Sequence, residues 1–96
     1  MAASGSGRRF NRIEANRQVL LEVLGDRQVY VERVLDVSLG GVRITCKAEI
    51  QPGTAITITA DDMLYFGEIV WRSGDMAGVK FDQVLDLKDL ERILEE

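Results

Sequence analysis

Val42-Arg43-Ile44-Thr45-Cys46-Lys47 carries an apolar side chain at every second position. Side chains on a strand alternate between faces, so this run buries Val42, Ile44 and Cys46 and leaves Arg43, Thr45 and Lys47 on the other side. Ile56-Thr57-Ile58-Thr59 repeats the pattern, and Ala77, Val79 and Phe81 face away from Lys80 and Asp82. Outward from these runs, turn signals fall at Gly25-Asp26, Gly40-Gly41, Pro52-Gly53, Asp61-Asp62 and Ser73-Gly74-Asp75, a β rhythm of about 10 to 15 residues. The runs between them are rich in Val, Ile, Thr and aromatic residues, which suit a pleated, half-buried surface. Six strands are predicted, near 17–24, 29–37, 42–48, 54–60, 64–72 and 76–81. The alternation breaks around Glu32-Arg33, where a β-bulge or bend is expected. Six short antiparallel strands close most economically into a barrel, which removes exposed edges.

After the last strand the period changes. Val84, Leu87, Leu90, Ile93 and Leu94 recur at three- and four-residue spacing, with Asp86 placed to cap and Asp89 in the first turn. This predicts a helix over 85–95 whose leucine stripe covers one end of the barrel. The fold class is thus all-β with a terminal helix.

The 96 residues allow one small domain, since two cores would leave each under fifty residues. Residues 1–7 hold Ala, Ser and Gly with no core-forming side chain and read as a flexible tail. Residues 8–16 form a polar arm, 17–82 the barrel and 83–96 the helical end. The arm is compatible with a helix, which puts Arg8 and Arg12 on one face, and equally with an extended segment. No run approaches the roughly 18 apolar residues of a membrane-spanning helix, so no membrane insertion is expected. MAASGSGRRF lacks the apolar region of a secretory signal, which predicts a cytoplasmic protein.

Several chemistries are excluded by composition. Cys46 is the single cysteine and histidine is absent. That removes an internal disulfide, the usual Cys/His metal spacings and nucleophilic catalysis with a histidine base. Cys46 itself reads as a small core residue. No paired carboxylates stand at a convincing spacing for a hydrolase, and no enzymatic activity is expected.

The formal net charge of −4 conceals an asymmetry. Residues 1–17 carry four arginines and one glutamate, a net +3, whereas the rest carries 8 basic and 15 acidic side chains, a net −7. A basic arm on an acidic body suits a small anion and would repel duplex DNA. The acidic stretch 82–96 reads as the wet face of the helix, or as a surface for a basic partner.

Two motifs fit that picture. Arg8-Arg9-Phe10-Asn11-Arg12 contains R-x-x-x-R, and Asp36-Val37-Ser38-Leu39-Gly40-Gly41 contains D-x-S-x-x-G at the end of the second strand. Together, in this order, they resemble the signature of the PilZ domain, a bacterial receptor family for the second messenger cyclic di-GMP. The runs Gly67-Glu68-Ile69-Val70-Trp71-Arg72 and Gly78-Val79-Lys80-Phe81 look like that family's later strands, so the resemblance covers nearly the whole domain. It implies a six-stranded antiparallel barrel of split-barrel or Greek-key type. It further implies cyclic di-GMP as ligand, with no other cofactor. A downstream protein partner follows too, with outputs such as motility, exopolysaccharide synthesis and surface attachment.

The chemistry agrees with the resemblance. Guanidinium forks match phosphate oxygens and the O6/N7 edge of guanine, and their planes stack on bases. Arg8 and Arg12 are expected on phosphate and guanine edges, with Arg9 assisting. Asp36 can accept from guanine N1–H and N2–H2, with Ser38 and Gly41 lining the pocket. Gly40 and Gly41 are expected to supply a positive-φ turn and close approach of ligand to backbone. Asp36 and Ser38 also fit plain turn chemistry. Trp71 fits either the core or a stacking platform for guanine, and Gly78 fits strand packing. Gly7, before the first arginine, leaves one or two ligands per domain open. Two other readings remain: a PilZ-fold protein adaptor without nucleotide binding, as in type IV pilus assembly, and a small barrel for single-stranded nucleic acid. The second would need several exposed aromatics on a basic face, and this chain has six aromatics in all.

Overall fold

A computed structural model describes residues 12–94. Six strands, β1 (Ile13–Val23), β2 (Val29–Val37), β3 (Gly41–Thr45), β4 (Ala55–Ala60), β5 (Met63–Ser73) and β6 (Met76–Phe81), precede one helix, α1 (Leu87–Leu94). They close a barrel in the order β1-β2-β3-β6-β5-β4, antiparallel throughout. Closure into a six-stranded antiparallel barrel is as expected, and its order makes two three-stranded meanders joined through the β3–β6 and β1–β4 pairs. None of the described helices is long and apolar enough to cross a membrane.

The inward positions are those the period of two selects. Leu21, Val34, Ile44, Ile56, Ile58, Ile69 and Ala77 are sealed from solvent, and Cys46 is sealed with them. Burial of the large aliphatic side chains, worth about 1.5–3 kcal/mol apiece, drives closure. The Cys46 thiol lies above its ordinary pKa, because burial disfavours the thiolate more than nearby Arg72 favours it.

Four local expectations need correction. Strand β3 ends at Thr45 rather than at 48, because the Cys46 amide turns to the Asp75 carbonyl and Arg72 takes the carbonyls of Cys46 and Ala48. Strand β1 begins at Ile13, inside the segment expected to be the arm, because Ile13 and Glu14 already pair with Val37 and Asp36. The irregularity lies not at Glu32-Arg33 but at Leu35. Ala15 and Asn16 together oppose Leu35 on one side, and Leu35 is the extra residue against β3 on the other. Glu32 keeps its inward place and breaks only the apolar pattern. Its buried carboxylate accepts bonds from the Thr45 hydroxyl at 2.7 Å and the Lys47 amide at 3.2 Å, which offsets the desolvation cost.

Helix α1 starts at Leu87 rather than 85 and buries less of its stripe than predicted. Asp86 caps it, its Oδ1 accepting from the Asp89 amide at 2.8 Å. Ile93 is fully buried and Leu90 and Leu94 are half-buried, while Leu87 and Val84 are exposed. Polar contacts complete the docking. Tyr65 of β5 donates to Asp89 at 2.9 Å, and Arg92 donates to both Tyr65 and Asp89. Arg17 of β1, itself buried, donates to the Arg92 carbonyl at 2.8 Å and to Asp61 at 2.7 Å. A second clamp lies across the barrel. Arg72 donates to the carbonyls of Ala48, Ile50, Cys46 and Gly74, holding the loop between β3 and β4.

Candidate functional site

The turn from β2 to β3 builds the site. The Ser38 amide donates to the Gly41 carbonyl at 2.8 Å, and its hydroxyl reaches the same oxygen at 3.4 Å. This closes the hairpin and sets Asp36 opposite Arg43. The bulge at Leu35 shifts the strand's face, so Asp36, Val37 and Ser38 are buried in succession. Asp36 therefore reaches the outer surface from a shielded position.

Two arginines converge on that carboxylate. Arg12 donates to Asp36 Oδ1 through Nε at 2.9 Å and Nη2 at 2.5 Å, and Arg43 donates to Oδ2 through Nε at 2.8 Å. Both arginine side chains are 40% exposed and the Asp36 side chain 11%. Beside this cluster lies an open depression of about 300 Å³, lined by Arg12, Ser38, Gly40, Gly41, Val70, Trp71, Gly78 and Lys80. Arg12, Arg43 and Lys80 bring three cations to this rim, alongside Asp36, its cross-strand neighbour Glu14 and the Glu68 opposite Lys80. Each guanidinium keeps donors beyond those spent on Asp36.

Trp71 is not in the core. It lies on the outer wall, 38% exposed, directly across from Gly78. A Cβ at Gly78 would fall 2.0 Å from Trp71 Nε1 and 2.4 Å from Cε2. Gly78 thus does more than pack strands: its missing side chain is the seat of the indole. The ring remains partly exposed on the wall of the depression.

Gly41 has a different job from the one predicted. It sits in β3, and among the described residues positive φ occurs at Gly25, Gly53, Gly74 and Asp61. A Cβ on Gly41 would lie 2.1 Å from the Val79 carbonyl oxygen, so glycine there permits β3 and β6 to pair. Its close approach is to a neighbouring strand, although it also borders the depression.

The structure thus gathers Arg12, Asp36, Ser38, Gly41 and Trp71 around one turn and one depression. Arg8 and Arg9 lie outside the described residues. Sequence reasoning missed Arg43 and Lys80. Arg43 was within reach: a hairpin closing between Leu39 and Gly40 pairs Asp36 with Arg43, and the alternation turns both outward.

Comparison with known proteins decides the family. The PilZ domain family model matches residues 6–96. The chain belongs to the PilZ domain family. A solved structure described as the PilZ domain of CeSA from a cellulose-synthesizing bacterium has a TM-score of 0.64. It is 16% identical, with 86% of this chain and 90% of that chain covered. At that identity the likeness is one of fold. No curated protein matches this chain. PilZ domains are a cyclic di-GMP receptor family of binding and adaptor modules.

Proposed function

We propose that this PilZ domain binds cyclic di-GMP at the depression beside Asp36 and signals through the rearrangement that follows. The observation that carries the reading is Arg12 against Asp36 at the edge of a surface bounded by Trp71. Arg12 exchanges its bonds to Asp36 for bonds to phosphate, joined by Arg8 and Arg9. Asp36, still held by Arg43, then accepts from guanine N1–H and N2–H2, and Ser38 borders the same pocket. The Trp71 ring stacks on a base, an interaction of about 1–3 kcal/mol. Each charged hydrogen bond contributes roughly 1.5–3 kcal/mol, set against the cost of fixing the groups that make it, about 1–2 kcal/mol per backbone residue. These opposing terms support moderate affinity that depends on the arm. The altered arm is what a protein partner reads, with motility, exopolysaccharide synthesis or attachment as the output.

Calorimetric titration with cyclic di-GMP, GMP and a single-stranded oligonucleotide tests the proposal. The expected outcome is selective binding of the cyclic dinucleotide, weakened at least tenfold in Arg12→Ala and Asp36→Ala. Equal binding of all three ligands would reduce the site to a general anion patch. No heat with any of them would leave a nucleotide-independent adaptor.

A further inference from the structure

On the outside of the barrel, four strands put outward residues in one row. Val31 of β2 pairs with Leu20 of β1, Leu20 with Thr59 of β4, and Thr59 with Leu64 of β5. Val31 is 60% exposed, Leu64 52% and Leu20 41%. The next row runs Val29, Glu22, Thr57 and Phe66, and its two apolar ends are again about half exposed. At the β5 end this face opens into a cleft of about 300 Å³ between Leu64 and Phe66 on one side and Val84 and Leu85 on the other, with Asp82 in its wall. Leu20, Val29, Val31, Leu64 and Phe66 are the exposed apolar members of these rows, with Glu22, Thr59 and the buried Thr57 between them. A cluster of exposed apolar side chains of this kind marks an interaction surface.

The face is separate from the Asp36 site. Strands β2 and β5 contribute to both, β2 through Val29 and Val31 here and Asp36 there, β5 through residues 64–66 here and 70–71 there, separated by roughly 13–23 Å along the strands. The fold and the charges then select the occupant. Strand addition is impossible, because a closed barrel offers no free edge. Around the face, the Arg33 guanidinium is held by Asn16, Lys80 lies opposite Glu68, and Arg27 shares the β1–β2 turn with Asp26. Glu22, Asp62 and Asp82 remain without an ion pair among the described residues. A second copy would set these carboxylates against their own images, and an anionic lipid surface would be repelled in the same way.

The geometry points to an amphipathic helix of a partner protein, apolar along one stripe and flanked by lysine or arginine, as the occupant of this face. Four strands about 4.8 Å apart span roughly 14 Å, which a helix rising 1.5 Å per residue covers in about nine residues. Anchors at i, i+4 and i+7 match that length. The last of them enters the cleft beside Asp82, and flanking cations meet Glu22 and Asp62. This surface works whether or not nucleotide is bound.

The test uses a synthetic helical peptide of leucine and lysine in that pattern and its leucine–glutamate counterpart, titrated into the full chain with amide chemical-shift mapping. The lysine peptide is expected to perturb Leu20, Val31, Leu64 and Phe66. It should bind at least tenfold more tightly than the glutamate peptide and lose at least tenfold in Leu20→Thr/Leu64→Thr. That double variant should melt as the parent does and titrate cyclic di-GMP unchanged, so failure here is distinguishable from failure of the nucleotide reading. Equal affinity for the two peptides, or shifts elsewhere, overturns the inference. So does a concentration-dependent dimer that the double variant abolishes, or binding to phosphatidylglycerol vesicles through the same residues.

Discussion

Arg12, just before β1, and Arg17, within it, have the same side chain in opposite settings. Arg12 is 40% exposed and holds a single carboxylate oxygen. Arg17 is 6% exposed and divides its donors among the Gln18 carbonyl, the Arg92 carbonyl and Asp61. Arg72 goes further toward the main chain, with four carbonyls as acceptors. A guanidinium bound to fixed carbonyls is part of the scaffold. One that rests on a carboxylate at the surface, with donors to spare, can be taken over by an incoming anion.

That contrast can be broken at several points. The largest effect is expected from Gly41→Ala, which belongs with the scaffold although it lies in the D-x-S-x-x-G motif. Its methyl group would collide with the Val79 carbonyl, costing about 4 kcal/mol. Denaturant melts should show a loss of most of the stability. A fully folded variant with only nucleotide binding impaired would return Gly41 to the ligand side of the comparison. Next comes Arg72→Met, which strands four carbonyls. About 3 kcal/mol is expected, a drop in Tm of roughly 12–24 °C, with cyclic di-GMP binding retained at low temperature.

A smaller effect concerns the acid limb. Burial alone would raise Asp89, but bonds from Tyr65 and Asp86, with the charge of Arg92, hold it below its ordinary value. A depressed folded pKa contributes stability above the unfolded value of 3.8 and loses it as pH falls through the folded one. Asp89→Asn should therefore flatten the fall in Tm between about pH 5 and pH 2. An unchanged slope would remove Asp89 from the helix-docking role. Tyr65 works on the other limb: burial raises it, so its contribution is present at neutral pH and fades as pH rises through the elevated value. The smallest stability effect belongs to Arg12→Ala, under about 1 kcal/mol for a solvent-screened pair, beside the large loss of ligand expected above. A big drop in Tm would move Arg12 into the scaffold.

The strands were legible because hydrophobic alternation and turn residues agree from Gln18 onward. They failed at Ile13 to Asn16, where a two-for-one bulge destroys the period just before an arginine, Arg17, takes an inward position. Glu32 misled in the same way, since a buried carboxylate satisfied by Thr45 looks like a break in the strand. Around the depression, Arg12 and Asp36 stand out as a motif, and Arg43 follows from hairpin symmetry. The clamps do not: Arg72 reaches main-chain oxygens of Cys46, Ala48 and Ile50, 22 to 26 residues away, and carbonyls carry no sequence signature. The reason for Gly41 was equally hidden, because the atom that forbids its side chain belongs to β6.

The seat of Trp71 on Gly78 has a practical consequence. The chain contains one tryptophan, and it lies on the barrel wall beside the depression instead of among the sealed aliphatic residues. The protein's fluorescence emission therefore originates at the wall beside the depression. Quenching or a wavelength change on addition of a nucleotide reads occupancy directly, with no label and no engineered residue, and Gly78→Ala should alter that spectrum before any ligand is added.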